Sequence, residues 1–253
     1  VINKYNNYFN GYVDKKTRSM LINCININRN ITNAKFMFFY CENLTSLDLS
    51  WCDTSNITNM SSMFEGCSKL TKLNISSFNT SKVTDMCHMF TGIEVKSLDV
   101  SSFNTSKVTD MSFMFNGCDK LTSLDLRSFD TSSVTNMSHM FWCNYSLETL
   151  VLSSFDTNKV TNMKCMFLMC NALQELDLSS FNTSNVTNME QMLECYNRLR
   201  LLDVSNFDIQ ETTNVNNLFG SYHYYGSPTY LTLDNIIMTN CSESTRDIIT
   251  TRF

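Results

Sequence analysis

Residues 44–69 read LTSLDLSWCDTSNITNMSSMFEGCSK, and this stretch returns along most of the chain. Further copies start at Leu70, Val95, Leu121, Leu147, Leu173 and Leu199. Successive starts lie 26 residues apart, except for 25 between Leu70 and Val95. A degraded copy precedes them from near Arg18, because Ile31-Thr32-Asn33 and Met37-Phe38 fall 26 residues before Ile57-Thr58-Asn59 and Met63-Phe64. The last copy fades after Phe219. A fixed period of this length marks a stacked repeat architecture, in which each copy covers its neighbours.

Each copy changes its periodicity half-way. Leu47 and Leu49, like Leu176 and Leu178, alternate with polar residues, which predicts a strand with one face inward. Met60, Met63, Phe64 and Cys67 then follow at the spacing of one face of a short helix. Asn59, Asp85, Asp110, Asn136, Asn162 and Asn188 stand just ahead of that segment, where a short polar side chain caps the first free amides. Between the two segments, Phe78 and Val83 and their counterparts point inward. No copy buries its apolar face alone, so the copies stack and their Leu, Phe, Val and Met columns merge into one core. The expected fold is an α/β solenoid of the leucine-rich-repeat type, with one short parallel strand and one short helix per turn. Residues 1–17 are expected to cap its first turn, and 18–219 to form the solenoid. Residues 220–253, with the aromatic run Tyr222-His223-Tyr224-Tyr225 and the strand-like Tyr230-Leu231-Thr232-Leu233, are expected to close it. The polar Cys241-Ser242-Glu243-Ser244 reads alternatively as a lead towards further chain, and the start at Val1 as a processed form or a piece of something longer.

Composition narrows the function classes. At 43% hydrophobic and 17% charged, the 253 residues belong to the globular range. One proline and six glycines stand against sixteen methionines and eighteen phenylalanines, a bias that AT-rich codons would give. Formal charge is −5 with a pI near 5.2, and no run of Lys or Arg occurs. A surface that follows a phosphate backbone needs clustered positive charge, so nucleic acid is excluded as the expected partner. No stretch reaches the ~20 apolar residues of a membrane span.

Written as LxxLDLSSFDTSxVTNMSxMFxGCxx, the repeat resembles the BspA-like leucine-rich repeats of bacterial surface proteins and lipoproteins, which also occur in some protists. The resemblance spans roughly residues 18–219. It implies a surface-exposed or secreted protein that binds host proteins, matrix or other cells, and it implies no catalytic residues. Ile93, in the shortened copy, departs from the family's Gly-Cys pattern, and the chain carries more cysteine than that pattern demands.

Candidate site residues are few. Cys41, Cys67, Cys118 and Cys170 fall three residues after the phenylalanine of the second segment, and Cys143 and Cys195 two residues after Phe141 and Leu193. They read either as small buried thiols or as disulfides between adjacent turns, such as Cys41–Cys67 or Cys118–Cys143. The total of eleven leaves at least one thiol out of any intrachain pairing. Metal-ligand spacing is absent, so no metal or other cofactor is expected. His88 and His139 share a repeat position two turns apart and are expected on the solvent side, and His223 belongs to the terminal segment. Nothing joins a histidine to a nucleophile and a carboxylate, so no enzymatic activity is expected.

Asp48, Asp99, Asp125, Asp177 and Asp203 share one outward strand position, interrupted by Asn74 and Val151. Like charges about 5 Å apart repel. Hydrogen bonds to neighbouring residues, a basic ligand, or calcium would each relieve that. In a repeat protein the pattern is scaffold, so specificity is expected where it breaks: Trp51, Lys72, Arg127, Val151, Glu175 and Leu201 on or near the strand face. Trp51 and Trp142 read equally as interface anchors and as space fillers. Sequons at Asn43, Asn79, Asn104 and Asn144 fall mostly out of the repeat itself. The expected function is a non-enzymatic interaction or adhesion module for a protein or glycan ligand, on a cell-surface or secreted protein. The binding face would comprise Asp48, Asp99, Asp125, Arg127, Glu175, Asp177, Asp203 and Trp51. The alternative is a structural repeat of a filament, sheath, virion or intracellular assembly, packing against copies of itself.

Overall fold

The computed structural model describes residues 31–194, 198–220 and 231–253. The expectations for residues 1–17 and for Tyr222–Tyr225 lie outside them. Seven short strands follow in order: β1 (Ser46–Asp48), β2 (Lys72–Asn74), β3 (Ser123–Asp125), β4 (Thr149–Val151), β5 (Glu175–Asp177), β6 (Leu201–Asp203) and β7 (Ile236–Ile237). All pair in parallel, with Leu47 opposite Leu73, Leu124 opposite Leu150, and Leu176 opposite Leu202. In each of the first six a central leucine faces the core, and its two neighbours face outward.

The expected continuous sheet is interrupted. Strands pair as β1-β2, β3-β4 and β5-β6-β7. Ser97–Asp99, the counterpart in the copy that follows the 25-residue one, joins neither neighbour as a strand. Dropping one residue from the preceding turn changes where the backbone amides of this one fall relative to the turns on either side. Beside the missing strand, the Thr122 amide of the next turn still donates to Lys96 O at 3.4 Å. The break between β4 and β5 coincides with no change of repeat length, and nothing in the structure explains it.

The predicted helices do not form: among the described residues no repeat contains an α-helix. The Met–Met–Phe segment instead hydrogen-bonds sideways to the next turn. Amides of Met60, Ser62, Phe64 and Gly66 donate to the carbonyls of Asp85, Cys87, Met89 and Thr91 at 2.8–3.0 Å. The intervening Met63, Glu65 and Cys67 amides donate three residues back within the turn, at 3.2–3.4 Å. Spacing explains the outcome. Packed helices need 8–10 Å between axes, whereas parallel strands rise only ~4.8 Å per turn. Phe38, Phe64, Phe90, Phe115, Phe141 and Phe167 stack on the turn side with centroids 5.4–5.8 Å apart. Both sides therefore rise nearly in step, and no helix fits.

The lateral arrangement requires left-handed backbone twice in each turn. One such column includes Ser62, His88, Phe113, His139 and Cys165, at φ between 54° and 59°. The other includes Gly66, Gly92, Gly117 and Cys143, at φ between 60° and 73°. The expected N-caps become a second parallel ladder. Seven bridges connect Asn33, Asn59, Asp85, Asp110, Asn136, Asn162, Asn188 and Asn214 without a gap. Their side chains still take an amide hydrogen, but two residues on, as when Asn59 Oδ1 accepts from Ser61 N at 2.9 Å.

The core is filled by repetition. The inward Leu, Met, Phe and Val of successive copies are almost wholly buried, each such side chain stabilising by ~1.5–3 kcal/mol. Buried threonines join the turns through the polar part of the arc. Thr131 Oγ1 donates to Asp156 O and accepts from Asp156 N, both at 2.8 Å. Thr54, Thr80, Thr105 and Thr157 do the same one turn on. At the C-terminal end the strand lies at Ile236–Ile237, not at Leu231–Leu233, and it pairs with β6; Tyr230 lies outside the described residues. Ser242 caps helix α1 (Glu243–Arg252), accepting from Thr245 N. The buried Thr245 accepts from Ile209 N at 3.0 Å, Ile249 is fully buried, and the Phe253 ring meets Phe219 edge-on. The segment Cys241–Ser244 thus turns back onto the last repeat.

Candidate interaction surface

The outward position of each strand holds the acidic column. Asp48, Asp99, Asp125, Asp177 and Asp203 each accept, through Oδ1, the amide two residues later at 2.9–3.1 Å. Hydrogen bonding to neighbours, one of the three expected ways to relieve the repulsion, is thus seen at all five. These bonds act on ionisation as well. Asp99 lies below the ordinary carboxylate range because the Ser101 side chain and amide bond to it. Asp125 is lowered to about 2, chiefly by hydrogen bonds from the Arg127 guanidinium. Arg127 grips that carboxylate through Nε and Nη2, at 2.5 Å for Nη2 to Oδ2. Both groups are exposed, so the ion pair adds little stability.

The structure groups these residues unevenly. Asp99, Asp125 and Arg127 surround an open depression of about 620 Å³, together with Leu98, Ser101 and Ser123, where strand pairing lapses after the short turn. Asp177 and Asp203 are directly paired across β5 and β6, as are Glu175 and Leu201. Asp48 stands apart near the N-terminal end, and Trp51 beside it is half-buried, with its indole N–H on Asp48 O at 2.9 Å. Trp51 thus packs partly on the core while closing its own turn. Val151 and Leu201 are exposed on the same face, as is Ile237.

A second cluster was not legible in the sequence. His88, Phe113 and His139 stack on the turn side at 4.3 Å per step, with rings within 8° of parallel. Trp142 meets both Phe113 and His139 edge-on. The histidines are half-buried in this ladder, each with part of its ring still exposed, and burial lowers the pKa of His139. The one available signal was Phe113 standing at the same repeat position between them. Trp142 belongs to this side and not to the strand face.

None of the nine described cysteines is in a disulfide. Cys67, Cys118 and Cys170 are buried and donate S–H to carbonyls of the preceding turn, those of Phe38, Phe90 and Phe141, at 3.0–3.2 Å. Burial pushes Cys118 up to about 12, which keeps its thiol proton. Asn144 takes the same place in its turn, donating to Phe115 O and Phe141 O. It is wholly buried, so its sequon is inaccessible in the folded chain. Among the described residues no cluster of three or more His, Cys, Asp or Glu is arranged for a metal, and no helix is long and apolar enough to cross a membrane.

One family model, described as "Mycoplasma protein of unknown function, DUF285", matches residues 32–124 and again 114–228, more than half of the chain. This chain belongs to the DUF285 family. No curated protein matches it. Among solved structures, this DUF285 chain is similar to a leucine-rich-repeat protein of T. pallidum (TpLRR), at 17% identity and a TM-score of 0.33 over 55% of this chain and 69% of that one. It is also similar to the functional domain of InlJ from Listeria monocytogenes, at 16% identity and a TM-score of 0.25, covering 71% of this chain but 46% of that one. A leucine-rich-repeat protein of Bacteroides ovatus gives 14% identity and a TM-score of 0.19 over 71% and 76% of the two chains. Likenesses this distant decide nothing about this DUF285 chain, whose fold rests on its own ladders.

Proposed function

We propose that this DUF285 chain is a non-enzymatic interaction module, and that its strand face binds a partner carrying basic groups. In this reading it serves adhesion on a cell-surface or secreted protein, as the resemblance to BspA-like repeats implies. One observation carries it: the negative charge of the strand column exceeds what the fold uses. All five aspartates accept an amide through Oδ1, which a neutral side chain does equally. Asn74 occupies the same position and accepts Ser76 N at 3.2 Å. The unbroken ladder on the turn side is likewise mostly asparagine. Asp177 and Asp203, directly opposite each other, repel, a cost that a basic partner lying across the column would offset. Arg127 and the exposed Val151 and Leu201 give that surface individual features along its length.

The test is attachment of host cells, and of purified matrix proteins, to the immobilised chain. A variant carrying Asp99→Asn, Asp125→Asn and Asp177→Asn keeps every Oδ1 acceptor and removes three charges. At least a tenfold loss of attachment is expected, with unchanged unfolding, while an Asn116→Ala control on the turn side attaches normally. Equal attachment by both variants would sink the strand-face reading.

A further inference from the structure

The column that ends each turn reads Cys41, Cys67, Ile93, Cys118, Asn144 and Cys170. Among the described residues only its first two members put cysteines in adjacent turns, because Ile93 and Asn144 separate the rest. The two turns are tightly joined around them. Phe38 N donates to Met63 O at 2.9 Å and Tyr40 N to Glu65 O at 2.7 Å, and the Phe38 and Phe64 rings stack at 5.4 Å. Cys67 reaches further back, its Sγ lying 3.1 Å from Phe38 O. Neighbouring turns at this spacing are within the Cα separation a disulfide spans, and the Cβ atoms need only draw together towards ~3.8 Å.

We propose that Cys41 and Cys67 are an oxidisable pair that closes as a disulfide, stapling two adjacent turns of the stack. This does not rest on the strand-face reading. With a disulfide oxidant such as oxidised glutathione, the Cys41 thiolate attacks one glutathione sulfur and expels the other as thiolate. Cys67 sulfur then attacks Cys41 sulfur and expels the second. The pair loses two protons and two electrons, and one glutathione disulfide becomes two glutathione thiols. Cys41 is the attacking sulfur because the neighbouring Cys67 thiol lowers its pKa, while Cys41 raises that of Cys67. Both side chains are buried, so reaction proceeds through local opening of these turns and is slow.

The full chain is incubated for a day at room temperature with oxidised glutathione, unfolded, alkylated with a maleimide, and weighed and peptide-mapped with and without prior reduction. The expected result is nine alkylated cysteines of the eleven, a cross-linked peptide joining Cys41 to Cys67, and a thermal midpoint raised by roughly 5–10 °C that reductant reverses. Cys41→Ser abolishes the cross-link. In that background, Ile93→Cys sets a thiol between Cys67 and Cys118 and creates a new cross-link to one of them. Eleven alkylated cysteines, stable mixed disulfides with glutathione, or a cross-link mapped elsewhere would each overturn the proposal. A folded Ile93→Cys variant that fails to cross-link would do so too, since the column would then not bring sulfurs within reach.

Discussion

The two sides of this stack are built from the same repeat and differ in regularity. The turn side runs unbroken from Asn33 to Asn214, whereas the strand side divides into three sheets. The turn side has redundant connections: lateral amide bonds, the asparagine–aspartate bridges and the phenylalanine stack. On the strand side a three-residue strand and one inward leucine carry each contact. A one-residue deletion at the end of the copy at Leu70 therefore opens the strand side but leaves the turn side paired, with Asp85 still bridged to Asp110. The difference suggests a division of labour, with stability concentrated on the turn side and the strand side freer to vary.

The largest effect that would break this division is on the turn side. Phe115 is fully buried between Phe90 and Phe141. Phe115→Ala should cost about 3–5 kcal/mol, by lost burial and an unfilled cavity, read as a thermal midpoint lower by roughly 10 °C. A cost below ~1 kcal/mol in urea unfolding would mean that this ladder is not what holds the stack.

Next in size is Thr131→Val, which keeps the shape and removes the hydroxyl. Asp156 O then loses its donor and Asp156 N its acceptor, both in a part-buried site. Leaving two backbone groups unpaired should cost about 2–4 kcal/mol. The same replacement at the exposed Thr149 on β4 should cost little, and equal losses at the two positions would contradict the asymmetry.

Much of this was legible beforehand. The 26-residue period, the inward columns and the strand positions follow from spacing alone, and the buried-thiol alternative for Cys67, Cys118 and Cys170 holds. The helix was misread because Met60, Met63, Phe64 and Cys67 would be spaced alike on a helix face and on a turn whose inward residues follow a neighbour's. What separates the two is where the amides go, and in a repeat stack that is settled by the next turn. Left-handed positions were hidden for a related reason: Phe113, His88 and Cys143 are poor markers of positive φ, and only Gly66, Gly92 and Gly117 signal it. The acidic column was visible. That each aspartate also closes its own turn required geometry.

Those left-handed positions give a smaller, signed test on the turn side. Gly117 has φ +64°, and an added Cβ would meet only ordinary contacts at 3.8–3.9 Å. Gly117→Ala should therefore cost about 1–2 kcal/mol from backbone strain alone. Cys143, one turn on at φ +60°, should behave inversely, with Cys143→Gly gaining up to about 1 kcal/mol. A gain at the first position or a loss at the second, measured by chemical unfolding, would show that strain does not govern this column.

The smallest expected effect is the most informative about the strand side. Asp125 titrates at about 2 in the folded chain, below the ordinary 3.8, because Arg127 bonds to its charged form. A depressed carboxylate stabilises the fold above its unfolded pKa, and that contribution fades as pH falls from about 4 to 2. Full exposure screens it heavily. Asp125→Asn should then shift the thermal midpoint at pH 7 by no more than about 2 °C. Wild type and variant should converge further below pH 3, where wild-type Asp125 also becomes neutral. A variant markedly less stable at pH 7 but not at pH 2 would mean that the charge serves the fold. If the curves coincide while attachment falls, the column's charge serves a partner, because Asn supplies the acceptor that Arg127 N requires and the fold loses nothing.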